Sequence, residues 1–296
     1  MAEATVQSKG NLFPVEVVSD IFSKVHGHSS IAELCGSTPI PFNGMQTFTF
    51  SMDNEVNIVA ENAQKPAGGI KVEPVVIQPL KVEYGARISD EFNYASEDKQ
   101  LDILAQFSEG YAKKIAKGLD LMTMHGINPR DNAAASLIGT NSFDTNTGVA
   151  TVTYTAGQEE EALEDAIAAL GEYDNTGFAL AKTFTAAMGK LKVNGVKQYP
   201  EFALGGMPTA LNGVKCSVNT TVSAGTEKDV AILGDFASAF KWGYAKEIPF
   251  ELIQYGDPDG TGKDLKNYNQ VYLRAETYIG WGILDPAAFV RVKAGA

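Results

Sequence analysis

Cysteine, histidine and unbroken apolar sequence are all scarce in this chain. Its 296 residues include two cysteines, Cys35 and Cys216, and three histidines, His26, His28 and His125. Two distant cysteines without a secretory signal read as buried thiols, not as a bridge. His26 and His28 would share a face only on a strand, and no third ligand is spaced to complete a metal site. His125 ends a helical pattern, where a cation suits the helix dipole. No apolar run approaches the roughly 18 residues of a membrane-spanning helix. The N-terminus, MAEATVQSKGNLF, lacks the apolar core of a signal peptide. Basic residues are also short, with 24 Lys and Arg against 36 Asp and Glu and a formal net charge of −12. That balance argues against a nucleic-acid grip built on clustered cations.

Reactive motifs are equally thin. There is no Gly-x-Ser-x-Gly elbow, and no histidine is placed as the base of a nucleophile. The stretch Asp257-Pro258-Asp259-Gly260-Thr261-Gly262-Lys263 invites two readings that both fail. A calcium loop would need a bidentate Glu where Tyr268 stands. A phosphate loop would need Gly at Asp257 and Ser or Thr at Asp264. It reads as a polar, flexible surface turn. Asn219-Thr220-Thr221 is a glycosylation sequon by letter only, and Arg274 and Glu276 share a strand face as a structural pair. No catalytic, cofactor-binding or metal-binding residue is expected.

What the chain does have is an ordinary globular composition, 44% hydrophobic and 20% charged. Its length suits one large or two medium domains. The strongest single signal is residues 96–125. Leu101, Leu104, Tyr111, Ile115, Leu119 and Met122 recur at helical spacing as one apolar stripe, the expected core face of a helix about 40 Å long. Ser96 is placed as N-cap, Gly126 as the C-terminal stop, and Pro129 prevents resumption. Glu109 and Lys113 form an i, i+4 pair in the better order.

In chain order, residues 1–13 read as an arm without its own core. Residues 14–34 hold a short helix with Val17, Ile21 and Val25, and prolines 39 and 41 then force extended chain. Phe48, Phe50 and Met52 alternate with polar residues. Val72, Val75, Ile77, Leu80 and Val82 carry the return, and a turn-rich linker over 61–69 lies between. An isolated hairpin is marginal in water and has open edges. A neighbouring copy of the chain is the expected cover. Beyond the long helix, helices are expected over 158–173 and 183–191, a turn at Asn194-Gly195 and a Gly-rich loop at 204–208. Strands are expected at 178–181, 214–218, 230–233, 248–253, 271–281 and 288–292, with a helical segment from Gly234 to Trp242.

This order of elements resembles the major capsid protein of tailed double-stranded DNA bacteriophages, the Hong Kong ninety-seven-type shell fold. The resemblance rests on Ser29-Ser30-Ile31 and Leu34 in the N-terminal segment and on Val59-Ala60-Glu61 at the outgoing hairpin tip. It rests further on the run from Tyr84 to Glu91 before the long helix, on Gly234-Asp235-Phe236, on Leu273-Arg274-Ala275-Glu276 and on Pro286-Ala287-Ala288-Phe289-Val290. It implies an α+β fold in four parts. These are an N-arm (1–45), an E-loop hairpin (46–86), a P-domain built on the spine helix (87–150 and 268–296) and an A-domain (151–267). Glu61, Gln64, Lys65, Lys71 and Glu73 of the E-loop would contact neighbouring subunits.

The implied function is structural: pentamers and hexamers forming an icosahedral virion shell, assembled in the bacterial host cytoplasm. The shell would enclose double-stranded DNA without sequence-specific contacts, and no membrane is involved. Many relatives carry an N-terminal scaffolding segment. Here Met1 is followed directly by the arm, which implies a separate scaffolding protein, or none, beside the portal. Some relatives cross-link through an E-loop lysine. Lys65 and Lys71 lie in that region, but no partner or catalytic acid matches, so no cross-link is expected. The tryptophan common in that loop is replaced by Ile58. Two other readings of the pattern are an encapsulin-like compartment and a soluble two-domain enzyme.

Overall fold

The computed structural model describes residues 28–52, 54–246 and 250–295. The expected helix through Val17, Ile21 and Val25, and the 1–13 arm before it, lie outside the described residues. The described chain opens with α1 (Ser30–Leu34), capped by the Ser29 hydroxyl, which accepts from the Ala32 amide at 3.1 Å. A hairpin follows, β1 (Met45–Met52) with β2 (Ile70–Ile77). The chain runs on through β3 (Leu80–Ser89) into the long helix α2 (Glu97–His125).

The remainder alternates short helices and strands. In order these are β4 (Ala150–Tyr154), α3 (Glu159–Ala169), β5 (Gly177–Ala181), α4 (Lys182–Met188), β6 (Lys192–Val193), β7 (Val196–Lys197), β8 (Ala210–Leu211), β9 (Val214–Asn219) and β10 (Asp229–Gly234). Then come β11 (Phe240–Lys246), β12 (Phe250–Ile253), β13 (Gln270–Ile283) and β14 (Phe289–Ala294).

Two sheets carry the body. The first has the order β4-β14-β10-β5-β9-β8 and mixes parallel and antiparallel pairs. Its inner strands, β5 and β10, are buried along their whole length and read as continuous apolar runs, as strands covered on both faces must. The second is organised on β13. β3 lies along one edge of it, while β11 and β12 follow one another along the other. The resulting fold is mixed α+β.

α2 links the two. Gly126 closes it in the left-handed region at φ 65°, donating its amide to the Met122 carbonyl, and glycine adopts that conformation without a Cβ penalty. Ser96 stands at its N-cap position, but its side chain makes no capping hydrogen bond. Lys113 donates to Glu109 at 2.8 Å. Leu104, Tyr111, Ile115, Leu119 and Met122 are buried as the spacing predicts. Leu101 is not: it is 42% exposed and lies outside the small cluster in which Leu104 packs with Phe92, Val271 and Leu273.

Three further expectations need correction. The hairpin ends at Ile77; residues 80–86 belong to β3, paired with β13. The segment after Gly234 is a turn, not a helix. The Asp235 carboxylate accepts from the Ala237 and Ser238 amides, and the chain then enters β11, where Trp242 is buried opposite Trp281. The 268–296 stretch is split, since β13 stays with β3 while β14 crosses into the first sheet between β4 and β10. The other short helices and strands fall within a few residues of their expected bounds.

Candidate assembly interface

The β1–β2 register sets the character of the hairpin. Gln46 faces Val76, Phe48 faces Pro74, Phe50 faces Val72 and Met52 faces Ile70. Side chains alternate across a strand, so these eight residues share one face. Seven of the eight are apolar, and the six large ones are 53–72% exposed. The opposite face carries Thr47, Thr49, Lys71 and Glu73. At the root it turns inward through Val75 to Ile77, which is fully buried. The hairpin is therefore amphipathic with its apolar side outward. Soluble single chains rarely leave a continuous apolar patch of this size bare.

The root is held by shape. Gly280 and Gly282 on β13 leave space that Ile77 fills; a Cβ at Gly282 would sit 2.8 Å from its Cγ1. Lower down, a Cβ at Gly85 would collide with the Tyr272 hydroxyl. Arg87 of β3 is clamped from the other side. Its guanidinium donates to Asp257, at 2.7 Å, to Asp259 and to Thr261, with Gln270 at 3.2 Å. Asp257 also accepts from the Gly262 and Thr261 amides. The loop expected to be a flexible turn is thus a built clamp on the strand that carries the hairpin. The Arg87 guanidinium holds the Asp259 carboxyl far below the usual carboxylate range.

The tip, residues 54–69, has no strand. Val56 and Ile58 are 98% exposed, and a turn closes where the Ala63 amide donates to the Ala60 carbonyl. Glu61, Gln64 and Lys65 lie in this tip and are exposed. Lys71 and Glu73 stand apart from them on the polar face, paired to each other at 2.6 Å. Both are more than half exposed, so that pair contributes at most about 1 kcal/mol. The contact residues expected from the sequence are the polar ones of the hairpin; its largest exposed surface is the apolar ladder. The alternation of Phe48, Phe50 and Met52 already carried the signal.

Two buried polar nodes fix the body beneath. Asp120, fully buried in α2, accepts from the Ser29 hydroxyl (2.6 Å), the Ser30 and Ile31 amides (3.0 and 3.2 Å), the Thr221 hydroxyl (2.6 Å) and Asn219 (3.3 Å). It holds the first described residues and the turn after β9 onto the helix. Burial pushes its pKa up, and the Ser29 and Thr221 hydroxyls with the Ser30 and Ile31 amides counter that push.

One turn on, His125 bridges Asp144 (2.8 Å) and the Thr221 carbonyl (2.7 Å). A carbonyl only accepts, so Nε2 carries a proton. Arg291 completes the cluster with a bidentate pair to Asp229, both bonds 3.0 Å, and reaches Asp144 at 3.1 Å. Burial opposes charge on His125, but the hydrogen bond and negative charge of Asp144 raise its pKa overall. Burial, then Asp144 beside it, pushes the Asp229 carboxyl up to about 7 against the pull of Arg291. Oxygen and nitrogen atoms of His125, Asp144 and Asp229 lie within 4.8 Å of one another, as in a metal site. The Arg291 cation already fills the role a metal ion would take there.

The family pattern described as "Phage capsid family" matches residues 9–294. A solved structure from Mycobacterium phage Ogopogo is 31% identical, with a TM-score of 0.77, covering 90% of this chain and 92% of its own. One from Gordonia phage Cozz is 27% identical, with a TM-score of 0.73 and coverage of 90% and 87%. A structure described as the capsid of an empty GTA particle shares the fold at 17% identity, with a TM-score of 0.65 and coverage of 91% and 90%. Comparison with curated protein sequences yields no match. A family pattern that runs through both sheets, the outward apolar hairpin and the whole of α2 leaves one conclusion: the chain belongs to the phage capsid family and is a structural protein of an oligomeric virion shell.

Proposed function

We propose that the β1–β2 hairpin is the clasp that joins each subunit to its neighbour in that shell. The observation that carries this reading is the apolar ladder from Phe48 to Val76, left bare by the described residues on a ribbon whose root is fixed. Six large side chains going from half exposed to buried would supply several kcal/mol per contact, at about 25 cal/mol per Å². Part of that is lost to ordering the tip. The tip residues Glu61, Gln64 and Lys65, with Lys71 and Glu73 on the polar side, would form the rim of the contact. Core apolar, rim polar is the usual anatomy of an interface.

Contacts of this head-to-tail kind close into rings when the rotation allows. Pentamers and hexamers of the chain, meeting in an icosahedral shell, are the assembly that follows. The sheet on β13 and α2 form the P-domain, and the sheet on β10 the A-domain. The shell encloses double-stranded DNA without reading its sequence, in keeping with the −12 formal charge. A separate scaffolding protein and a portal assist assembly in the bacterial cytoplasm.

The test replaces residues 53–69 with Asn-Gly, a turn that suits a two-residue hairpin link. Subunits should keep their circular dichroism spectrum and melt normally, yet form no particles by electron microscopy. Normal particles from this variant would overturn the clasp.

A further inference from the structure

A second bare feature lies in a separate two-stranded ribbon. Residues 182–215 hold five lysines and a single acid, Glu201, in a chain that is otherwise acidic. Two of the lysines stand face to face. β6 and β7 form an isolated two-stranded ribbon in which Lys192 is paired with Lys197 and Val193 with Val196. Like charges directly opposite destabilise a ribbon, and a ribbon this short has little to hold it. Val193 and Val196 are 56% and 67% exposed. Lys190, Lys192 and Lys197 are exposed, and among the described residues no ion pair reaches them. Just beyond, Leu204 takes φ 57° and is fully exposed. A leucine there is strained, and its side chain finds no cover among the described residues.

The same chain carries the complementary surface. From 158 to 174 there are seven acids and no base. On α3, Glu161 and Asp165 stand one turn apart on the exposed face. Glu160 is already engaged by the Tyr199 hydroxyl. Two unlike patches on one chain are what a head-to-tail ring requires, because each copy offers one and receives the other.

We infer that the lysine ribbon β6–β7, with Leu204 beside it, seats on the acidic outer face of α3 of the adjacent copy in the ring. This rests on the ring assembly proposed above, but not on the β1–β2 clasp. The occupant is a protein surface and not a nucleic acid, because valines lie between the lysines and a bare leucine flanks them. Phosphate has no use for either.

The experiment reverses charge on each side and then on both. Lys192→Glu with Lys197→Glu should leave the subunit folded, with unchanged circular dichroism and thermal midpoint. Particle yield at physiological salt should fall about tenfold or more. Glu161→Lys with Asp165→Lys should do the same. The fourfold variant carries both reversals on every copy and should recover most of the yield, since each ring contact is again complementary. The inference is overturned if the lysine reversal assembles as the parent does, or if the fourfold variant recovers nothing. It is also overturned if lysine-reversed shells form in normal number but fail to retain DNA, which would place the ribbon against nucleic acid. Failure here alongside loss of assembly on replacing 53–69 would leave the clasp standing, and the converse pair of results would remove the clasp alone.

Discussion

The two halves of α2 are one helix with one hydrophobic period, yet they live in different surroundings. From Tyr111 onward every apolar residue is buried and even Asp120, Thr123 and His125 lie inside. Before Tyr111, among the side chains described, only Leu104 and Ser108 are buried, while Leu101 and Ile103 are 42% and 38% exposed. Leu104 packs in a small separate cluster with Phe92, Val271 and Leu273. The second half joins the main core, which takes in both sheets. Periodicity thus shows which face of a helix is apolar, and not whether its own chain covers that face. The first half of α2, like the β1–β2 hairpin, offers apolar surface that the described residues leave uncovered.

Substitutions along the helix can break this contrast. The largest effect belongs to Leu119→Asp, which puts an unpaired charge into the main core; no folded subunit should be recovered, as read by circular dichroism. Leu104→Asp should also prevent folding, through the smaller cluster. Asp120→Ala strands buried donors from two segments and should cost about 3–5 kcal/mol by urea denaturation. A loss under about 1 kcal/mol would mean the five hydrogen bonds do not hold the segment at Ser29 to the helix.

The next effect is smaller and follows pH. His125 and Asp229 both have folded-state pKa values above their unfolded ones. The stability they lend is complete below the unfolded values and fades as pH rises through the folded ones. For Asp229 that decline runs from about 4 to about 7, and for His125 it begins near the ordinary histidine value. Asp144 acts in the reverse sense, since its lowered pKa gives stability that is lost only in acid. The thermal midpoint should therefore fall from mildly acidic pH toward alkaline pH, and His125→Gln should flatten the upper part of that slope. A midpoint that rises across neutral pH would contradict the cluster. The smallest effect on the subunit should be Leu101→Asp, within about 0.5 kcal/mol of the parent. If that variant unfolds, the contrast between the halves is lost; if it folds but assembles poorly, the bare half is a contact surface.

Much of this was legible in the sequence. The helix bounds, the Gly126 stop, the Glu109–Lys113 pair and the inner strands β5 and β10 all come from local chemistry. What escaped was decided by distant chain. The Gly234 to Trp242 stretch was read as helical, but pairing with β13 makes a strand of its second half. The 257–264 loop has turn composition, and nothing local signals that Arg87 would sit at its centre. Asp120 left one trace, a lone acid between Leu119 and Leu121. The two strands of the hairpin are legible in their alternation, while the contact residues expected from the sequence are its polar ones, because charged side chains draw attention that an exposed apolar alternation does not.

The pairing of β3 with β13 has a consequence for biosynthesis. Leu80 meets Ile279, so about 200 residues separate the two strands in sequence. At roughly 5–20 residues per second, a ribosome needs about 10–40 s after making the hairpin to supply the strand that anchors it. The sticky ribbon emerges early and stays untethered until β13 has been made. A nascent subunit is thus prevented from presenting a correctly aimed arm to finished ones, and copies become competent to join only once β13 has paired with β3.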